Sequence, residues 1–174
     1  MGWWCALALV ASVATLQATG SIRILPLVRD GRVLVSFELP DGVTDDVLAA
    51  IHSGLRTTFT YTVELRVEVP AWIDRKIAEA TVSSTVQYDN LTRQHTVMQM
   101  LDGRVEGVQV TDDEAVVRQW LTSFRQLPLF QTTDLEPDRE YYVRVRASVR
   151  PGKAAFVLPW ASGPSGQAKF TFIR

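Results

Sequence analysis

An unbroken alternation of apolar and polar residues over positions 58–69 constrains the fold of this chain more than any other feature. The apolar positions of this segment are Phe59, Tyr61, Val63, Leu65, Val67 and Val69. Because successive side chains of a β-strand point to opposite faces, the pattern predicts a long antiparallel strand with one buried face and one solvated face. We expect Pro70 to end this strand, since proline cannot donate a hydrogen bond to a neighbouring strand.

The same two-residue period recurs along most of the chain. It is found at residues 22–28, 32–39, 78–88, 91–101, 104–110, 141–149 and 168–173. Asp30-Gly31 and Asp102-Gly103 separate two pairs of these segments, and Asp-Gly is typical of tight turns between antiparallel strands. The spacing predicts a hairpin near residue 30 and a meander of antiparallel strands over residues 78–110.

Helical spacing replaces the alternation in two segments, 44–53 and 113–124. Thr44 suits the N-cap of the first helix, and Gly54 suits its C-terminal end. Most neighbouring strands have no helix between them, which argues against a parallel doubly wound sheet. The sequence therefore predicts one α+β domain dominated by antiparallel strands, a β-sandwich with two short helices.

The N-terminal segment predicts export. Residues 1–20 contain no charged side chain, and Ala18 and Gly20 place small residues at −3 and −1 of a cut before Ser21. This pattern predicts a signal peptide at 1–20 and a single periplasmic or otherwise exported domain at 21–174. Nothing before Trp3 is basic, so the alternative is that the segment stays uncleaved as an inner-membrane anchor. If it is cleaved, we expect the mature form to span no membrane.

Composition excludes several classes of site. Lys and Arg number 18 against 19 Asp and Glu, so the chain has no basic excess for nucleic acid. Cys5, the only cysteine, lies within the predicted signal peptide. The mature domain would then lack disulfides, cysteine-ligated metals and a cysteine nucleophile. We expect no cofactor.

Residues that could perform catalysis are few and isolated. His52 and His95 have no partner at metal-ligand spacing, and we expect His95 to be a partly exposed strand residue. Asp45-Asp46 and Asp112-Asp113 fall at helix starts, where acidic residues stabilise the helix dipole, so we interpret them as capping residues rather than calcium ligands. No catalytic, cofactor-binding or metal-binding residue is predicted.

Two sets of residues could instead contact a partner. Trp72 and Trp160 lie near Pro70 and Pro159, where an exposed aromatic side chain could anchor a protein. A basic face is also conceivable, and its members would be Arg93, Arg144, Arg146, Arg150 and Lys153. We expect these cations to pair across strands with carboxylates such as Glu64, Glu68 and Glu140 rather than to bind acidic partners.

Several stretches resemble one family. They are VSFELPDGVTDDVLAAIHSGLRTTFTYTVEL (35–65), Trp72-Ile73-Asp74, YDNLTRQHTV (88–97), the second helix and EYYVRVRASV (140–149). Together they resemble the exported bacterial domain of unknown function 4390, whereas ASGPSGQ (161–167) departs from it. The resemblance implies an exported α+β domain of unassigned activity, with some relatives encoded beside sensor histidine kinases, and it supplies no functional residues.

The leading hypothesis is a non-enzymatic envelope module that binds a protein partner, such as an envelope or membrane signalling protein. The alternative is a hydrolase or small-ligand binder whose site is assembled from distant carboxylates, such as Asp74 and Asp134. A pocket with converging polar groups would favour the alternative, and an exposed apolar surface favours the protein-binding module.

Overall fold

The computed structural model describes residues 21–69, 74–151 and 163–173. Its secondary structure elements, in chain order, are β1 (Arg23–Arg29), β2 (Arg32–Glu38), α1 (Asp45–His52), β3 (Thr57–Val67), β4 (Arg75–Asp89), β5 (Gln94–Leu101), β6 (Arg104–Thr111), α2 (Glu114–Thr122), β7 (Ser123–Gln131), a 3-10 helix (Thr132–Asp134), β8 (Arg139–Pro151) and β9 (Ser165–Phe172). Residues 1–20, Trp72, Lys153 and Trp160 lie outside the described residues, as does Pro70.

The strands form two sheets, in which every described pair is antiparallel. One sheet has the order β1-β2-β7, and the other has the order β6-β5-β4-β3-β8-β9. The predicted hairpin and the predicted meander are both present, as β1-β2 and as β4-β5-β6. The prediction of a sandwich-like α+β domain with two short helices is therefore confirmed.

The alternating segment that constrained the fold is β3, which lies between β4 and β8. Phe59, Tyr61, Val63, Leu65 and Val67 are each at most 1% exposed, as the alternation predicted. An aromatic cluster joins this row to the smaller sheet, because the ring of Phe37 lies 5.1 Å from Tyr61 and 4.7 Å from Phe124. The core therefore lies between the two sheets.

Both helices begin as their sequences predicted. The Thr44 hydroxyl accepts a hydrogen bond from the Val47 amide, and the Asp113 carboxylate accepts one of 2.8 Å from the Ala115 amide. Each of these side chains satisfies an amide that the first helical turn leaves without a partner. The structure thus gives Asp113 a capping role and places Asp45 and Asp46 in the first turn of α1.

The second helix is shorter than predicted, because it ends at Thr122 and residues 123–124 belong to β7. This strand was not predicted from the sequence. Its register against β2 shifts at two places, and Gln126 has a positive φ of 49°. Bulges of this kind place successive residues out of phase, so the segment lacks the strict alternation by which strands are recognised.

Two side chains are more buried than predicted. Glu64, on the supposedly solvated face of β3, is 4% exposed because Arg66 and Arg146 form ion pairs with its carboxylate. His95 is 3% exposed rather than partly exposed, since its ring packs 4.7 Å from that of Tyr88. In addition, β5 begins at Gln94, and Leu91 lies in the preceding turn.

Among the residues described, no helix combines the length and the apolar character needed to cross a membrane.

Candidate functional site

The six-stranded sheet has an outer face, which is the face turned away from the core. Cross-strand register arranges the side chains of this face in rows. One row runs through Thr58, Thr85, Met98 and Val108, on β3, β4, β5 and β6. Charged residues occupy the β3-β8-β9 side of the face, whereas apolar residues occupy the β5-β6 side.

We call the apolar side the β6 surface; its residues are Met98, Met100, Val105, Val108 and Val110. The three valines are 57%, 57% and 55% exposed, and they lie on β6, which forms one edge of its sheet. Val105 and Val108 are three residues apart, so in a regular strand they would point to opposite faces. A register shift between Gln99 and Met100 of β5 brings Val105 onto the same face as Val108 and Val110. Exposed apolar rows at a sheet edge are a feature of surfaces that contact other proteins.

A groove of about 750 Å³ adjoins the β6 surface. Its lining extends from Ser53 and Gly54, which follow α1, to Met98 and Val108 of the β6 surface. Arg56 also lines the groove, and its guanidinium donates a hydrogen bond of 3.0 Å to the side chain of Gln87. Asp89 is the one carboxylate among the described residues that line this groove. Its Oδ1 accepts hydrogen bonds from the Leu91 and Thr92 amides, which lower the pKa of its carboxyl, so this side chain stabilises the turn.

The charged side of the outer face is organised around Glu64. Arg66 donates a hydrogen bond of 3.0 Å to one carboxylate oxygen of Glu64, and Arg146 donates to the other. Arg66 also donates to the hydroxyl of Tyr142 at 3.1 Å, and this hydroxyl donates to Asp74 at 2.6 Å. The hydrogen bond from Tyr142 lowers the pKa of the Asp74 carboxyl, so Asp74 stays ionised at neutral pH.

The predicted pairing of cations with Glu64, Glu68 and Glu140 is confirmed only in part. Arg146 pairs with Glu64, but Glu68 and Glu140 pair with Lys169, at 2.6 and 2.7 Å, and this raises the pKa of the lysine. Within the described part of the chain, Arg144 and Arg150 form no ion pair. Arg93 lies in the turn before β5, away from β8.

Sequence reasoning did not find a cluster on the core side of the sheet. It comprises His52 of α1, Tyr88 of β4, His95 of β5 and Glu114 of α2. The two imidazole rings lie 5.9 Å apart, and Nε2 of His52 is 3.1 Å from Glu114. Four separate elements supply these residues, so no local spacing could have revealed the cluster.

The environment of His95 disfavours its protonation. Burial lowers the pKa of the imidazole, and the neighbouring His52 lowers it further. Nδ1 of His95 is buried and has no hydrogen-bond partner among the residues that the structure describes. The described residues nevertheless contain no group of three metal-ligating side chains arranged to hold an ion. We therefore interpret the cluster as a junction between the two helices and the sheet.

The two carboxylates considered for catalysis belong to different sheets. Asp74 precedes β4 of the larger sheet, whereas Asp134 ends the 3-10 helix after β7 of the smaller one. Among the described residues, no hydrogen bond links them. The lowered pKa of the Asp74 carboxyl does not suit a general acid, which needs a raised pKa.

The chain matches no curated protein and no solved structure. It does match the family described as a domain of unknown function (DUF4390), over residues 21–158. The match covers most of the chain, so this protein belongs to that family. The family membership that the sequence resemblance indicated is confirmed, and export stays a prediction.

Proposed function

We propose that this DUF4390 domain is a non-enzymatic protein-binding module of the bacterial envelope, with an envelope or membrane signalling protein as its partner. The observation that carries the proposal is the β6 surface at the edge of the larger sheet. Three half-exposed valines lie on one face of β6. A partner that covered them would gain binding free energy, because each Å² of apolar surface removed from water contributes roughly 25 cal/mol.

The edge position of β6 supports a particular mode of binding. Edge strands present backbone N–H and C=O groups with no neighbouring strand, and proteins usually protect such edges with proline or inward-pointing charge. β6 (Arg104–Thr111) contains no proline. Arg104, Glu106 and the register shift protect its start, but residues 107–111 pair in regular register with β5 and carry no charge. An extended segment of a partner could pair with β6 and place alternate side chains beside these valines.

The adjoining groove supplies the polar part of the same interface. Met98 and Val108 belong to both the groove and the β6 surface, so one ligand could cover both. Arg56 and Gln87 would then lie at the rim, where interfaces are commonly polar around an apolar centre. The Asp74 carboxylate accepts a hydrogen bond from the Tyr142 hydroxyl and has a lowered pKa, which does not suit a general acid and supports binding over hydrolysis.

Trp72 and Trp160 remain proposed partner anchors. Trp72 lies in the sequence between β3 and β4, and Trp160 lies between β8 and β9. β3 and β8 are antiparallel neighbours: the end of β3 at Val67 pairs with Tyr141, and the end of β8 at Pro151 pairs with Thr57. The two strands therefore end at opposite ends of the sheet. Each tryptophan is therefore best tested separately, by substitution with alanine and measurement of partner affinity.

Export is part of the proposal. We infer cleavage of residues 1–20 before Ser21, which leaves a single domain at 21–174. The family match begins at residue 21, directly after the proposed cut, and this supports the division. N-terminal sequencing of envelope protein should give Ser21; a start at Met1 in the membrane fraction would select the anchor, and a start at Met1 in the cytoplasm would contradict export.

Site-specific photocrosslinking in native cells tests the binding function. A photoreactive residue at Val108 should crosslink to one protein, and the same residue at Leu25 should not. Leu25 is a matched control because it is 69% exposed and lies on β1, an edge strand of the other sheet.

The captured protein is then purified and titrated with the domain. Val108→Lys should weaken binding about tenfold or more, equivalent to about 1.4 kcal/mol, while Leu25→Lys should not. Equal crosslinking at both positions, or equal affinity for both lysine variants, would contradict the proposal.

A further inference from the structure

A second site lies on the charged side of the outer face, between β8 and β9. A depression of about 360 Å³ is lined by Arg144, Arg146, Ser165, Gly166 and Gln167. These residues offer two guanidinium groups, a hydroxyl and a side-chain amide. No carboxylate is among the described residues that line it. The lining is therefore rich in hydrogen-bond donors and bears positive charge.

The register of the two strands places four of these residues at the corners of a rectangle. Arg144 lies opposite Gln167, and Arg146 lies opposite Ser165. Residues two apart on a strand are about 6.6 Å apart, and neighbouring strands are about 4.8 Å apart. A carboxylate bound above this rectangle could therefore contact side chains of both strands.

Arg146 is held in place by the structure. Its guanidinium donates to Glu64, which is 4% exposed and also accepts a hydrogen bond from Arg66. A single donor of Arg146 is used in this contact, and a guanidinium carries five. The buried carboxylate thus fixes Arg146 at the rim and leaves further donors for a ligand.

Arg144 is the cation of the lining that is left for a ligand. Within the described residues it forms no ion pair, and its guanidinium lies 5.6 Å from the ring centre of Tyr142. Nearby cations already have anionic partners, because Arg66 and Arg146 share Glu64 and Lys169 pairs with Glu68 and Glu140. The Arg144 guanidinium is therefore available to pair with one carboxylate.

We propose that this depression, the Arg144–Arg146 site, binds a carboxylate side chain of an acidic protein segment. The proposal rests on the protein-binding function and adds an acidic contact to it. Planar guanidinium groups match carboxylates, and the one guanidinium without an ion pair suits a single carboxylate. β8 lies four strands from β6, about 19 Å across the sheet, so the two contacts can be tested separately.

The test is an NMR titration of the isotope-labelled domain with the blocked tripeptide Ala-Glu-Ala, which carries one carboxylate. The peptide should shift the amide signals of Ser165, Gly166 and Gln167. Arg144→Gln should weaken binding about tenfold or more, since charge-assisted hydrogen bonds contribute in this range. Arg150→Gln is the matched control, because Arg150 lies on the same strand but does not line the depression, and it should change affinity less than twofold.

Three outcomes would overturn the assignment: no shift at β9, equal weakening by Arg150→Gln, or tighter binding of inorganic phosphate than of the peptide. The neutral peptide Ala-Gln-Ala should not bind. Arg144 makes no ion pair among the described residues, so its substitution should leave the fold intact, which the spectrum itself verifies. The shifts at β9 are read independently of the crosslink at Val108, so failure of this site is distinguishable from failure of the β6 interface.

Discussion

Replacing Leu65 by alanine tests the placement of the core most severely. Leu65 is 1% exposed in β3, with β4 on one side and β8 on the other. The substitution removes three carbon atoms, whose transfer from water contributes about 2.4 kcal/mol at about 0.8 kcal/mol each. The cavity left behind adds to this loss, because strands held on both sides cannot collapse into it. We expect a total destabilisation of about 3–5 kcal/mol.

Equilibrium urea unfolding measures this loss. With a slope of about 2 kcal/mol per molar urea, the midpoint should fall by about 1.5–2.5 M. Leu25→Ala is the control; Leu25 is 69% exposed, so its free energy of unfolding should change by no more than about 0.5 kcal/mol. If the two variants had the same midpoint, the apolar row of β3 would not be in the core.

Two further predictions follow from buried polar groups. Tyr61→Phe should lower stability by about 1 kcal/mol in urea unfolding, because the Tyr61 hydroxyl donates a buried hydrogen bond of 2.8 Å to the Leu121 carbonyl; an unchanged midpoint would contradict this contact. His95 has a folded-state pKa below its unfolded value of about 6.5, so its stabilising effect is present above that pH and is lost as the pH falls below it. Between pH 7 and pH 5 the free energy of unfolding should therefore fall faster for the wild type than for His95→Phe, and the difference should be at most about 1.4 kcal/mol per pH unit. Urea unfolding at several pH values measures this, and parallel pH profiles of the two proteins would refute the assignment.

The sequence was sufficient where a local pattern determines the structure. The alternation of β3 fixes which side chains are buried, since the period of a strand allows only one assignment of faces. The Asp30-Gly31 and Asp102-Gly103 turns were equally predictable, because all four residues adopt positive φ. Local chemistry also placed the cap of each helix.

Features that depend on distant residues could not be predicted. Glu64 looks like an ordinary solvated strand residue, and only the arginines of β3 and β8 reveal that it is buried. The exposure of Val108 depends on β6 being an edge strand, and strand order is not encoded in the spacing of one segment. The histidine cluster likewise requires the packing of α1 and α2 against β4 and β5.

The central claim is that a protein partner pairs with the edge of β6, and amide hydrogen exchange in the purified complex tests it most directly. Pairing would give β6 (Arg104–Thr111) new backbone hydrogen bonds, so exchange at alternate amides of this strand should slow when the partner that crosslinks to Val108 is bound. Amides of β1 (Arg23–Arg29), the edge of the other sheet, should exchange at the same rate in both states. Unchanged exchange along β6 in a saturated complex would contradict the claim.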